Sequence, residues 1–267
     1  MRAKFPVLPA MNLGKNFWIS LGVCLWLYFV ISSIPAVWAA YVVSRATGVV
    51  AMSGVSGTLW NGSASLASVK VKGMDHSLGQ LTWKLDLLSF FTLKPCAKIT
   101  TSMDNQQFDG VACVKRGGFI LKDASISLPA PLLQPFHPLQ IDGQFMLNIA
   151  WWEMQQGQLQ KLHAKASWAG AKIFNGGNWM TLGVLGSELT DDGQKGMDIH
   201  LFDVSSPAHL DILGHLLYPS GVTVKGGVTM PEAFFRENNA AAWLSMFATQ
   251  QSSSDPANVA YSVDLTF

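Results

Sequence analysis

The chain has 267 residues, room for one large domain or two small ones. Charged residues make up 13% and hydrophobic ones 49%, roughly half the charge of an ordinary globular protein, which implies a membrane or a partner. The net charge is +1, with no basic run beyond the N-terminus, and this excludes the long-range field that nucleic-acid binding relies on.

Residues 1–16 form a short tail holding Arg2, Lys4 and Lys15. From Phe17 to Val43 there is no Asp, Glu, Lys, Arg or His. A hydrocarbon core about 30 Å thick takes roughly 20 apolar residues as a helix, so 17–43 is predicted to be a transmembrane anchor. Only Arg45 follows closely, and the excess of positive charge sets 1–16 in the cytoplasm and 46–267 across the membrane. Trp38 and Tyr41 suit the far interface. The competing reading is a signal peptide cut after Ala39, with Val37 and Ala39 as its small residues, although the apolar run exceeds the roughly 7–15 residues of a signal core.

After the anchor, period-two alternation dominates. The stretch VSGTLWNGSASL, Val55 to Leu66, reads as a first hairpin with Thr58, Trp60 and Gly62 on one face, Leu59 on the other, and a turn or bulge at Asn61-Gly62. Its glycines let another backbone come close, which makes Thr58, Trp60, Asn61 and Gly62 candidate partner-docking residues; the plainer reading is a first strand packed on its own core. In GQLTWKLDLL, Leu81, Trp83, Leu85 and Leu87 share one face, with Gln80, Thr82, Lys84 and Asp86 on the other. In GQFMLNIAWW, Phe145, Leu147, Ile149 and Trp151 oppose Met146, Asn148, Ala150 and Trp152, so both faces look partly apolar. Turns are expected at Asp109-Gly110, Asp142-Gly143 and Asp192-Gly193.

Two segments depart from alternation. SSPAHLDILGHLLYP, with Ser206 as cap, Pro207 at the first helical position and Leu210, Leu213 and Leu217 at helical spacing, predicts a helix. So does Pro231 to Phe247, with Phe234, Phe235, Trp243 and Phe247 available for packing. The Pro-rich Leu128 to Leu139 reads as a connector between halves 46–128 and 140–267.

Cys24 lies in the anchor, while Cys96 and Cys113 lie beyond it. In an oxidising compartment an even pair invites a disulfide, the alternative being two buried thiols. Six histidines form no recognised ligand array. Asp211 and His215, with His209 nearby, lack a third ligand and read more simply as a solvated helix face. No Gly-x-Ser-x-Gly elbow and no phosphate loop occur. No catalytic, cofactor-binding or metal-binding residue is expected, and an enzyme is unsupported. Trp60, Trp151 and Trp152 are candidates for a surface that meets protein or lipid.

The short tail, the single span, SGTLWNGSA soon after it, then LGQLTWKLDLLSFF and two extramembrane cysteines together resemble the type II secretion system protein N family of Gram-negative bacteria. The resemblance covers nearly the whole chain. It implies an accessory inner-membrane component whose periplasmic domain works among the other inner-membrane proteins of that apparatus, helping folded proteins leave the periplasm across the outer membrane. It carries no catalytic site. The expected fold is all-β: a long, twisted, curled, mostly antiparallel sheet with one or two short helices. Two rivals stand beside it. A curled sheet with an apolar groove would suit lipid binding or transfer, and the alternating YSVDLTF ending in Phe267 resembles the closing strand of an outer-membrane β-barrel.

Overall fold

The computed structural model describes residues 15–71, 73–136, 139–175, 177–217, 221–253 and 255–266. Most of the tail, the final Phe267 and the side chain of Trp243 lie outside the described residues.

The single helix expected over 17–43 is two helices, α1 (Lys15–Ser32) and α2 (Ala36–Thr47). Pro35 separates them: it has no N–H to continue the ladder, takes an extended backbone and bridges to Thr58. α1 is apolar around its whole circumference, with Trp18, Trp26, Tyr28 and Phe29 all exposed. α2 buries Ala36 and Ala40 and lies against the first two strands, where small side chains permit a close approach. Among the described residues no helix is long and apolar enough to cross a membrane.

The rest is one antiparallel sheet of 14 strands. They are β1 (Val50–Gly57), β2 (Asn61–Val71), β3 (Met74–Asp86), β4 (Cys96–Met103), β5 (Gln106–Lys115), β6 (Gly118–Pro129) and β7 (Ile141–Gln155), followed by β8 (Gln158–Phe174), β9 (Trp179–Asp191), β10 (Gly196–Ser205), β11 (His209–Leu217), β12 (Gly221–Pro231), β13 (Thr249–Gln251) and β14 (Asn258–Thr266). Neighbours in sequence are neighbours in space, except that β14 inserts between β12 and β13. Among the described residues the end strands β1 and β13 do not pair, so the sheet is open, and these strands do not close into the barrel of the rival reading.

Register divides the sheet into an apolar and a polar face. One transverse row starts at Val55, Ala64 and Leu81, passes Phe108, Ile126 and Leu147, and ends at Leu201, Ile212, Gly226 and Val263. Its only polar members are Thr101 and Ser187. The next row starts at Ser56, Ser63 and Thr82, passes Asp109, Asn148, Lys165 and Glu188, and ends at Lys225 and Asp264, with Leu213 its one apolar member. Such alternation buries one face and solvates the other.

The apolar face is filled by side chains. In its middle, Ala124, Ile149, Leu162 and Ala164 are buried beneath Phe108, Leu121, Leu147 and Trp152. All of these come from strands of the same sheet. Toward the C-terminal end the cover is helical. Short helices α3 (Glu232–Glu237) and α4 (Ala240–Leu244) bring Phe234, Phe235 and Leu244 onto Val228, Met230, Tyr261 and Val263. Phe234 also reaches the neighbouring cluster of Met180, Leu182 and Leu185. These are the single helix expected over 231–247, interrupted at Asn238-Asn239, where Asn239 takes φ 48°.

Four further expectations are corrected. Ser206 to Leu217 is not a helix: His209–Leu217 is a strand paired with both β10 and β12. Asp109-Gly110 and Asp142-Gly143 are register shifts inside β5 and β7, and of the three Asp-Gly pairs Asp192-Gly193 alone joins strands. The two-sided look of GQFMLNIAWW comes from a register shift between Ile149 and Trp151, which returns Trp152 to the apolar face beside Leu121 and Leu162. Leu87 does not extend β3: a 3-10 turn, Leu87–Thr92, begins there.

Candidate functional site

The turn between β1 and β2 is where the helical segment is fastened to the sheet. Thr58 pairs with Pro35, and the Leu59 N–H donates to the carbonyl of Ile34 at 2.8 Å. The Trp60 indole donates to the Ile31 carbonyl, 2.8 Å away, in the last turn of α1. That carbonyl belongs to the end of a helix, where intrahelical donors run out, so the indole acts as a side-chain cap. The turn is held in its own right. Trp83 donates its indole N–H to the Leu59 carbonyl at 3.0 Å, and Leu85 N–H donates to the Trp60 carbonyl at 2.8 Å. Asn61 N–H donates to the Thr58 hydroxyl at 3.2 Å. Gly62 is glycine for lack of room: a Cβ there would sit 2.3 Å from the Trp83 ring. Thr58, Trp60, Asn61 and Gly62 thus sit in and beside one turn, and the hydrogen bonds of this turn are made inside the chain.

Next to this clasp stands the β3–β4 connection. Asp86 caps the 3-10 turn by accepting the Leu88 N–H at 3.0 Å. Ser89 is the buried residue of the loop, 7% exposed, and its hydroxyl accepts the Cys96 N–H at 2.8 Å and donates to the Asp86 carbonyl. The Phe90 ring meets Trp60 edge to face, with centroids 5.8 Å apart. At the base of the loop Cys96 and Cys113 are joined as a disulfide between directly opposed residues of β4 and β5.

The polar face carries cross-strand ion pairs. Lys115 binds Glu153 with both side chains largely covered, and the Trp151 indole donates to the same carboxylate at 3.2 Å. The ammonium of Lys115 holds the Glu153 carboxyl below its ordinary range against the opposing effect of burial. Thr100, and then Lys98, do the same for Asp109. Asp211 and His215 share the polar side of β11, where Asp211 meets His200 at 2.8 Å and His215 meets Asp198 at 2.6 Å, while His209 meets Asp203 at 2.6 Å. These are imidazole–carboxylate pairs between strands; among the described residues no three or more His, Cys, Asp or Glu are grouped to hold a metal ion. Trp151 stands on this face with Lys161 over its ring, whereas Trp152 packs edge to face on Phe119 at 5.3 Å.

Residues 49–256 match the family model described as type II secretion system (T2SS), protein N. The chain belongs to the type II secretion system protein N family. It is 24% identical over 222 residues to the type II secretion system protein N of Aeromonas hydrophila, covering 78% of this chain and 84% of that one. It is 28% identical over 146 residues to that of Vibrio cholerae serotype O1, covering 52% of this chain and 56% of the other. No solved structure matches. Protein N is a component of type II secretion, and protein transport is the process to which this chain belongs. The matched span runs from just before β1 to the loop before β14.

Proposed function

We propose that this chain is an accessory inner-membrane component of the type II secretion apparatus, with α1 in the bilayer, the N-terminus cytoplasmic and the sheet periplasmic, helping folded proteins cross the outer membrane through protein–protein contacts. The observation that carries the tether is α1 itself. A helix apolar on every side has no solvated face and needs lipid or protein around it. At about 1.5 Å per residue its 18 residues measure about 27 Å, short of about 30 Å of hydrocarbon, so in this reading the bilayer thins locally around it. The clasp of Thr58, Trp60, Asn61 and Gly62 then holds the first hairpin beside the membrane, and this hairpin is the proposed contact with neighbouring inner-membrane components. Chemical crosslinking in cells tests the reading. Adducts with other secretion components in the inner-membrane fraction are expected; recovery as a soluble protein with no such adduct would overturn it.

One observation favours a second reading, lipid carriage: the row from β1 to β14 is apolar except at Thr101 and Ser187. A photoreactive residue in place of Leu147, in the middle of that row, separates the two. Phospholipid adducts there support carriage, and their absence leaves the scaffold.

A further inference from the structure

The segment LLSFFTL, Leu87 to Leu93, is folded inside out. Its one hydroxyl-bearing residue at the centre, Ser89, is buried and hydrogen-bonded, while Leu88, Phe91 and Leu93 are 74%, 86% and 86% exposed. Leu93 does this from a left-handed backbone, φ 55°, a region that costs a leucine energy and that an ordinary surface loop fills with glycine or asparagine. The loop is not slack. Asp86 caps its start, Thr92 donates its hydroxyl to the Ser89 carbonyl at 2.8 Å, and the Cys96–Cys113 bridge closes its base. Exposed apolar side chains on a braced loop mark a surface that meets something apolar.

We infer that this loop is a second membrane contact, inserting Leu88, Phe91 and Leu93 into the same leaflet in which α1 ends. The inference rests on the placing of α1 in a bilayer proposed above. Two features favour lipid over a protein partner. The first is continuity: Phe90 packs on Trp60, and Trp60 is hydrogen-bonded to the last turn of α1, so the loop's apolar surface adjoins the helix's own. The second is charge. Lys84 and Lys98 are directly opposed on β3 and β4 at the base of the loop, and Lys94 is exposed just beyond Leu93. Like charges facing each other across strands repel, and Asp109, 3.3 Å from Lys98, offsets one of them. Glu153 lies within charge reach of Lys94, which leaves Lys84 for an anionic phosphate headgroup at this level to neutralise. The pattern, apolar tips below and cations above, is that of an interfacial anchor. With α1 and the loop both engaged, the sheet would be fixed in angle as well as tethered.

The test uses the full chain in vesicles of phosphatidylethanolamine and phosphatidylglycerol with brominated acyl chains. An environment-sensitive fluorescent amino acid replaces Phe91, Leu27 of α1 or Lys225 of the polar face, one at a time. Quenching at Phe91 and Leu27 but not at Lys225 is expected. The pair Leu88→Asp and Leu93→Asp, both at exposed positions that leave the fold intact, should reduce the inserted fraction at Phe91 by about tenfold. Quenching at Leu27 without quenching at Phe91 would overturn the loop contact while leaving the anchor, and is the result for a loop that seats in a protein partner. No quenching at either would remove the anchor as well.

Discussion

At the scale of single residues, a few side chains have neighbours that leave them no freedom. Trp60→Phe keeps the ring against Phe90 but removes the donor to the Ile31 carbonyl. Loss of about 1 kcal/mol there should make proteolysis at residues 33–35 about fivefold faster, measured by limited digestion. Gly62→Ala pushes a Cβ into a Trp83 ring that its own hydrogen bond to Leu59 prevents from swinging away; a loss of about 1–3 kcal/mol in thermal unfolding is expected. Alongside Asp109, Glu153 contributes to the pH dependence. Its folded pKa is depressed, so the unfolded chain takes up the proton more readily, and the stability it contributes is present above the ordinary carboxylate range and lost as pH falls through the folded value. Unfolding midpoints should fall as pH drops below the ordinary carboxylate range, and Glu153→Gln should make that fall shallower. A profile unchanged by the substitution would contradict the assignment.

At the scale of elements, the disulfide and the misread helix are instructive in opposite ways. Cys96 and Cys113 are 17 residues apart, and their count suggests the pairing that the structure shows, although two buried thiols fit that count as well. Replacing both by alanine should cost about 3 kcal/mol in denaturant unfolding, matched by reduction of the native chain. The segment 209–217 could not be read this way. Leu210, Leu213 and Leu217 fit a helix, yet Leu210, Ile212, Gly214 and Leu216 fit a strand, and the second pattern wins because β10 and β12 offer partners on both sides. Those partners lie outside any local window. The pairs of Asp211 with His200 and of His215 with Asp198 were hidden for the same reason. Register shifts hid the faces of β5 and β7, since one extra residue exchanges inside for outside. The first hairpin was legible from its alternation, but its turn was misplaced: Asn61 and Gly62 are the first paired residues of β2 and the chain reverses at Leu59-Trp60, closed by the Thr58 N–H on the Asn61 carbonyl. Its grip on α1 was not legible, because hydrogen bonds to the Ile31 and Ile34 carbonyls carry no sequence signature.

At the scale of the whole molecule, hairpin after hairpin builds an open sheet with one apolar and one polar face, helices over one end and an apolar helix clasped to the other. All-β character and antiparallel order follow from the alternation; openness does not, since a closing strand and an edge strand alternate alike. The central claim is that this assembly serves secretion from the membrane. Its most direct test is to delete the chain from its own cell and measure how a folded exoprotein divides between periplasm and medium. Accumulation of folded exoprotein in the periplasm, reversed by the intact chain but not by one lacking α1, is the result expected. Undiminished release into the medium without the chain would contradict it.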